Sequence, residues 1–180
     1  MILALEDPHH LVRQNAAFAL GKIARRKSTK PLMDLLIKDE NVNVREMIAW
    51  ALGELNDKRA VPVLIKSLED SRLIVRKNAA FALGRLQDTS AVEPLKKHLL
   101  REHESKESAW ALSRLLKKRV AVVVLKDAFK KMKKDDYIED CIEICRIFNQ
   151  LDKETAESFI KEMLADNRFS NYHEEIKLLV

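Results

Sequence analysis

VRQNAAFALG at residues 12–21 returns as VREMIAWALG at 44–53 and as VRKNAAFALG at 75–84. The three glycines, Gly21, Gly53 and Gly84, are 32 and 31 residues apart. A self-similarity of this period is the mark of a stacked repeat, and it takes precedence over any local motif. A weaker fourth copy, SKESAWALSRL at 105–115, puts Ser113 in the glycine slot. Each copy is followed by a second string: STKPLMDL (28–35), AVPVLIKSL (60–68), AVEPLKKHL (91–99) and AVVVLKDAF (121–129). A degraded fifth unit runs through EDCIEICRIF (139–148) and ETAESFIKEML (154–164).

Each unit reads as two helices. In the third, Val75, Ala79, Ala82, Leu83 and Leu86 recur at helical spacing and form one apolar face. Gly84 and the QDTS segment at 87–90 read as the place where the chain loosens, before the next helix from Ala91 to Leu99. One such pair cannot cover both of its apolar faces, whereas stacked neighbours can. The chain of 180 residues has only three Gly and four Pro, too few for a turn-rich all-β fold. Its longest aliphatic run, VAVVVL at 120–125, is far short of the ~20 residues of a membrane span. No basic stretch followed by an apolar core marks MILALEDPHH as a secretory signal. A cytoplasmic location follows as the default.

These strings resemble the HEAT-like repeats, in particular the short class of phycobilisome-lyase-related proteins. The resemblance rests on AAxALG, on the following AVxxL, and on an Asp placed six residues before an Arg in Asp7/Arg13, Asp39/Arg45 and Asp70/Arg76. It implies an all-α, right-handed α-solenoid of about four to five HEAT-like helical hairpins. The repeats span residues 7–38, 39–69, 70–101 and 102–134, preceded by a partial helix at 1–6. Residues 135–180 then form a degenerate fifth repeat and a C-terminal cap. The resemblance also implies that Asp7, Arg13, Asp39, Arg45, Asp70 and Arg76 form a structural hydrogen-bonding row between repeats. Ser105 stands in the arginine slot of the fourth unit and no Asp precedes it, so the row is expected to stop after the third. MILALED matches the end of a second helix such as LIKSLED at 64–70, which suits either a piece of a longer array or a short capping segment.

Phe18, Trp50, Phe81 and Trp110 occupy one position of four successive units. With Val75 at zero and ~100° per residue, the apolar face spans about 340° to 80°, while Phe81 falls near 240° on the polar side. Residues stacked once per repeat make a stripe along the array, and the resemblance implies that this stripe lines a concave, partner-binding surface. It is flanked by Asn15, Lys22, Met47, Glu54, Asn78, Arg85 and Arg114, with Gln14, Glu46, Lys77, Lys106 and Glu107 beside them. Aromatic anchors with a polar rim have the anatomy of a protein-binding patch. Packing between repeats, with the rings stacked on each other, is the competing explanation.

No Gly-rich phosphate loop, GxSxG elbow or HExxH pair occurs. His103-Glu104 and His173-Glu174 resemble the His-Glu pairs of HEAT-like di-iron hydroxylases but are out of phase with the repeat. Cys141 and Cys145 lie four apart with no companion ligands, which suits small core residues. The sequence therefore points to no enzyme, no metal and no cofactor. Charge is uneven: residues 135–180 carry 12 acidic and five basic residues, a net of −7, against +12 for the rest. Lys66, Lys96, Lys97, Lys126 and Lys130 could face a polyanion, although Asp34, Glu46 and Glu54 interrupt the track. The expected function is a non-catalytic scaffold that binds a protein or peptide. Self-association, nucleic-acid binding and a lyase-type subunit are the alternatives, and no membrane contact is expected.

Overall fold

The computed structural model describes residues 1–100, 105–131, 138–151, 153–166 and 173–177, and every regular element among them is helical. The helices are α1 (His10–Ile23), α2 (Thr29–Lys38), α3 (Val42–Glu54), α4 (Val61–Ser67), α5 (Leu73–Leu86), α6 (Val92–Leu99), α7 (Ser105–Leu115), α8 (Lys118–Lys131), α9 (Ile138–Leu151), α10 (Lys153–Leu164) and α11 (His173–Lys177). Short 3₁₀ turns precede α1, α2, α4 and α6. This is an α-solenoid of paired helices. No helix among the described residues is long and apolar enough to cross a membrane.

The chain divides into two compact units, Met1–Pro94 and Leu95–Val180. In the first, α1 packs along α3 and α3 along α5, while α2 and α4 touch each other little. The reason lies in the side chains between them. A Cβ on Gly21 would stand 2.9 Å from the Ala51 Cα, and one on Gly53 would stand 2.9 Å from the Ala82 Cβ. Small residues therefore meet small residues, and the backbones of the first helices close up. The second helices carry larger contacts such as Leu32, Leu36 and Leu64, all buried, and stay further apart. The unit is thus a layer of close-packed first helices beside a layer of more widely spaced second helices.

The glycines do not loosen the chain. Gly21, Gly53 and Gly84 lie inside helices, and no glycine has a positive φ. The left-handed residues are Ala24, Asn56 and Gln87, with φ of 52°, 47° and 50°. Each stands after the end of a first helix and lets the chain turn back. The turns are then held by side chains. The Asp57 carboxylate accepts from the Arg59 amide at 3.1 Å, from its guanidinium at 2.6 Å, and from the buried Thr29 hydroxyl at 2.8 Å. Arg59 also donates to the Arg26 carbonyl at 3.1 Å, and Lys58 to the Gln87 carbonyl at 3.2 Å, tying each turn to a neighbouring one.

An arginine ladder runs through the first unit. Arg13 grips Asp39 with two bonds, Nε to Oδ2 at 2.7 Å and Nη2 to Oδ1 at 3.0 Å. Its Nη1 donates to the carbonyls of Asp7 (2.9 Å) and Pro8 (3.0 Å). Arg45 repeats the arrangement on Asp70 at 2.8 and 3.0 Å, with the carbonyls of Asp39 and Glu40 beneath it. Arg76 donates to the Asp70 carbonyl at 2.7 Å. Each of the three thus fastens its own loop, and Arg13 and Arg45 also reach the carboxylate of the next repeat. The expected stop of the row after the third repeat depends on residues 101–104, outside the described residues.

The second unit packs α9 against α7, α8 and α10, with α11 against α10. Leu112, Leu125, Ile144, Phe159 and Met163 are buried in it. His98 Nδ1 and Ser108 Oγ pair at 2.7 Å in its interior. Cys145 is buried, and its Sγ meets the Met163 sulfur at 3.1 Å. The side chains of Cys141 and Lys130, together with His103-Glu104 and residues 178–180, lie outside the described residues.

Two stability predictions follow from this packing. Gly53→Ala gains about 1 kcal/mol of helix propensity. It also presses a methyl group into Ala82, so the net change in urea unfolding should be a loss of ~1–2 kcal/mol. The second concerns acid. Burial raises Asp39 and Asp70, but the arginine bonds and the backbone amides of Asn41 and Arg72 outweigh it, leaving both below the ordinary carboxylate range. Arg59 above all holds Asp57 far below that range. Carboxylates depressed in the folded state stabilise it fully above the unfolded pKa, and that stabilisation drains as pH falls through the folded pKa. Urea midpoints should be level from neutrality down to about pH 5 and fall steadily below about pH 4.

Candidate functional site

Phe18, Trp50 and Phe81 stand at equivalent turns of α1, α3 and α5. Phe18 is 44% exposed, while Trp50 and Phe81 are half-buried. The Phe18 and Trp50 rings are stacked, 5.4 Å between centroids and 20° from parallel. Trp50 reaches that position because Gly21 has no side chain: a Cβ there would lie 2.8 Å from the indole Cζ3. The same glycine that brings the helices together therefore opens the seat for the indole. Packing and exposure hold together here, since one indole face lies on α1 while the stack keeps an open edge.

Lys22, one turn beyond Phe18, crosses both rings. Its ammonium lies 5.6 Å from the Phe18 centroid and 5.4 Å from that of Trp50. A cation at this range of an aromatic face is held by the ring quadrupole. No carboxylate pairs with Lys22 among the described ion pairs. Arg85 differs. It donates to the Gly53 carbonyl at 3.3 Å and to Glu54 Oε2 at 3.2 Å, so it closes the end of α3 from α5. Glu54 and Arg85 therefore satisfy each other within the chain, whereas Lys22 sits over the two rings. Asn15 is exposed, while Met47 and Asn78 are half-buried.

Trp110 belongs to the second unit and is half-buried on α7. The Arg114 guanidinium lies 5.2 Å from its ring centroid, one turn on, repeating the Lys22–Phe18 spacing. The Ser113 hydroxyl, in the glycine slot of this repeat, donates to the Trp110 carbonyl at 2.7 Å. The pairing of a cation with the ring four residues before it was not read from the sequence. The signal was present: Lys22, Arg85 and Arg114 each follow an aromatic by four, and i,i+4 residues are neighbours on a helix.

Comparison with known proteins finds matches to repeat families over part of the chain. Residues 1–76 match the model described as HEAT repeats, and residues 75–101 match the PBS lyase HEAT-like repeat. A stretch of 63 residues is 43% identical to phycocyanobilin lyase subunit alpha of Synechococcus elongatus. That match covers 35% of this chain and 23% of the relative, so it spans about a quarter of the relative's length. Among solved structures, the complex of CpcE and CpcF of phycocyanin lyase from Nostoc sp. PCC7120 is similar at a TM-score of 0.70 and 24% identity, over 92% of this chain and 69% of that one. A designed armadillo repeat protein is similar at 0.52 and 16% identity, over 99% and 96%. The expectation of a chain with no enzymatic role is corrected by these matches, because the relative is a lyase subunit. A motif search looks for a complete catalytic set in one chain. A subunit that works within an assembly does not have to carry such a set, so the missing motif excluded too much.

The geometry makes a spectroscopic prediction. With Trp110→Phe removing the second indole, emission reports Trp50 alone. Acrylamide should quench it to an intermediate degree, and Phe18→Ala should raise the quenching constant about twofold by uncovering one indole face. An unchanged constant would mean that the stack does not persist in solution.

Proposed function

We propose that this chain, which belongs to the HEAT-like repeat family, works as a partner-binding subunit of a lyase-type enzyme. The observation that carries the reading is the Phe18–Trp50 stack crossed by the ammonium of Lys22. Two large ring faces supply apolar contact at little entropic cost, since each aromatic has only two side-chain torsions to fix. The unpaired ammonium adds a directional charge beside them. Such a surface suits a protein segment that brings an apolar side chain and a carboxylate close together. Arg114 over Trp110 offers the same chemistry on the second unit.

The lyase part of the reading comes from the relatives. One is named for phycocyanobilin and the other for phycocyanin, and the solved one is a complex of two subunits. On this reading the repeat array holds and orients a protein for the chemistry of the assembly. Binding of this kind contributes by positioning, which supplies a large share of many catalytic rate gains.

The test is a reconstitution with a second lyase-type subunit, phycocyanobilin and apo-phycocyanin. Wild type should capture a protein component and support chromophore attachment, seen as covalent visible absorbance. Phe18→Ala should weaken capture about 10–100-fold, in the range of an aromatic anchor. Lys22→Glu should slow association, and more so in low salt. Phe18 is the informative position because Trp50 also fills the space over Gly21 and its removal would disturb the helix packing. Attachment at wild-type rates with both variants would overturn the aromatic face as the docking surface. Absence of any capture or attachment by wild type would overturn the lyase-type reading.

A further inference from the structure

The turns that follow α1, α3 and α5 are three copies of one device, and the first copy breaks its rule. Asp57 and Asp88 open the second and third turns. Each accepts the amide two residues on, that of Arg59 at 3.1 Å and that of Ser90 at 3.0 Å. A carboxylate in this place caps the 3₁₀ turn that follows it. Arg25 holds the same place in the first turn and makes no capping bond. A cation thus stands where the other repeats use an anion, and the turn forgoes its cap. A local rule broken with no gain inside the fold is a mark of function. Charge gathers at the same edge. Residues 24–28 and 55–60 hold five cations, Arg25, Arg26, Lys27, Lys58 and Arg59, against one carboxylate, Asp57, a net of +4. All five cations are exposed, and Asp57 is buried. Asp57 engages Arg59, and Asp88 lies 4.0 Å from Lys58. Arg25, Arg26 and Lys27 meet no carboxylate among the described residues. The two turns are locked together beneath these charges: Arg59 Nη2 donates to the Arg26 carbonyl at 3.1 Å and Arg26 Nη2 to the Asn56 carbonyl at 3.4 Å. The third turn, residues 86–90, has one carboxylate and no cation, yet keeps the left-handed entry at Gln87 and the cap. The turn itself therefore does not call for the cations.

We infer that the first two turns form a docking ridge for an acidic protein segment. A short stretch rich in carboxylates matches a compact group of cations, and the forked donors of a guanidinium fit a carboxylate. Nucleic acid fits less well. A phosphate backbone is followed by a continuous track of cations, whereas Asp88 ends the series at the third turn. None of the three turns carries an aromatic on which a base could stack. The ridge is a different surface from the ring stack, and the inference stands independently of it.

The test uses the full chain and fluorescein-labelled hexaglutamate, with hexaglutamine and a short DNA duplex as comparison probes. Anisotropy at low salt should show saturable binding of hexaglutamate, weakening as salt rises, and none of hexaglutamine. Arg25→Asp supplies the capping residue of the other two turns. Its urea midpoint should therefore be no lower than that of wild type while its Kd for hexaglutamate rises about tenfold. A merely structural role for Arg25 would not separate the two readouts in this way. Lys27→Gln should weaken binding about threefold, and Lys66→Gln, an exposed substitution on α4, should leave it unchanged. No saturation up to roughly a millimolar, or wild-type binding by both Arg25→Asp and Lys27→Gln, would overturn the proposal. So would an equal loss in Lys66→Gln, which would make the attraction one of net charge. Tighter binding of the duplex than of hexaglutamate, lost in Arg25→Asp, would overturn it in favour of nucleic acid.

Discussion

The close approach of the first helices at Gly21 and Gly53 is the constraint on which the rest of the first unit depends. With no Cβ at these positions the backbone of α3 comes within contact of α1, and that of α5 within contact of α3. The second helices have no such relief and stay apart, so the spacing of the two layers follows from residue size. The vacant space over Gly21 also decides how the Trp50 side chain lies, because the indole fills it. One small residue therefore fixes helix spacing and the pose of the ring beside it.

The arginine ladder does a different job. Helix stacking through alanine and glycine is smooth, and a smooth interface permits sliding by a turn. A bidentate guanidinium–carboxylate pair does not, since its two bonds require one geometry. Arg13 on Asp39 and Arg45 on Asp70 are largely shielded from solvent and are further tied to backbone carbonyls. They set the register of each repeat on the next, while the apolar contacts supply most of the cohesion.

The repeat, the helix pairs and the aromatic positions were legible in the sequence because each is a matter of period. VRxxAAxALG gives the repeat directly, and the angular position of Phe81 separates it from Val75 and Leu83. What the period does not contain is the third dimension. The glycines read as chain looseners, yet they are packing points inside helices, and the left-handed duty falls to Ala24, Asn56 and Gln87. Arg85 and Lys22 occupy the same repeat position, but Glu54 neutralises only one of them. That distinction depends on which residue a neighbouring repeat brings alongside. The missing catalytic motif excluded too much, since an assembly can distribute its chemistry over chains and leave none of them with a signature.

The ladder has one further property: it points. Arg13 and Arg45 each reach forward along the chain to the carboxylate of the next repeat, so the two sides of these repeats are complementary and not alike. A contact between unlike sides is head-to-tail, and head-to-tail association has no built-in end. Molecules joined this way grow into open filaments unless the geometry closes a ring or something terminates the series. For a protein built from such steps, the terminating element is therefore as much a part of its solubility as surface charge is.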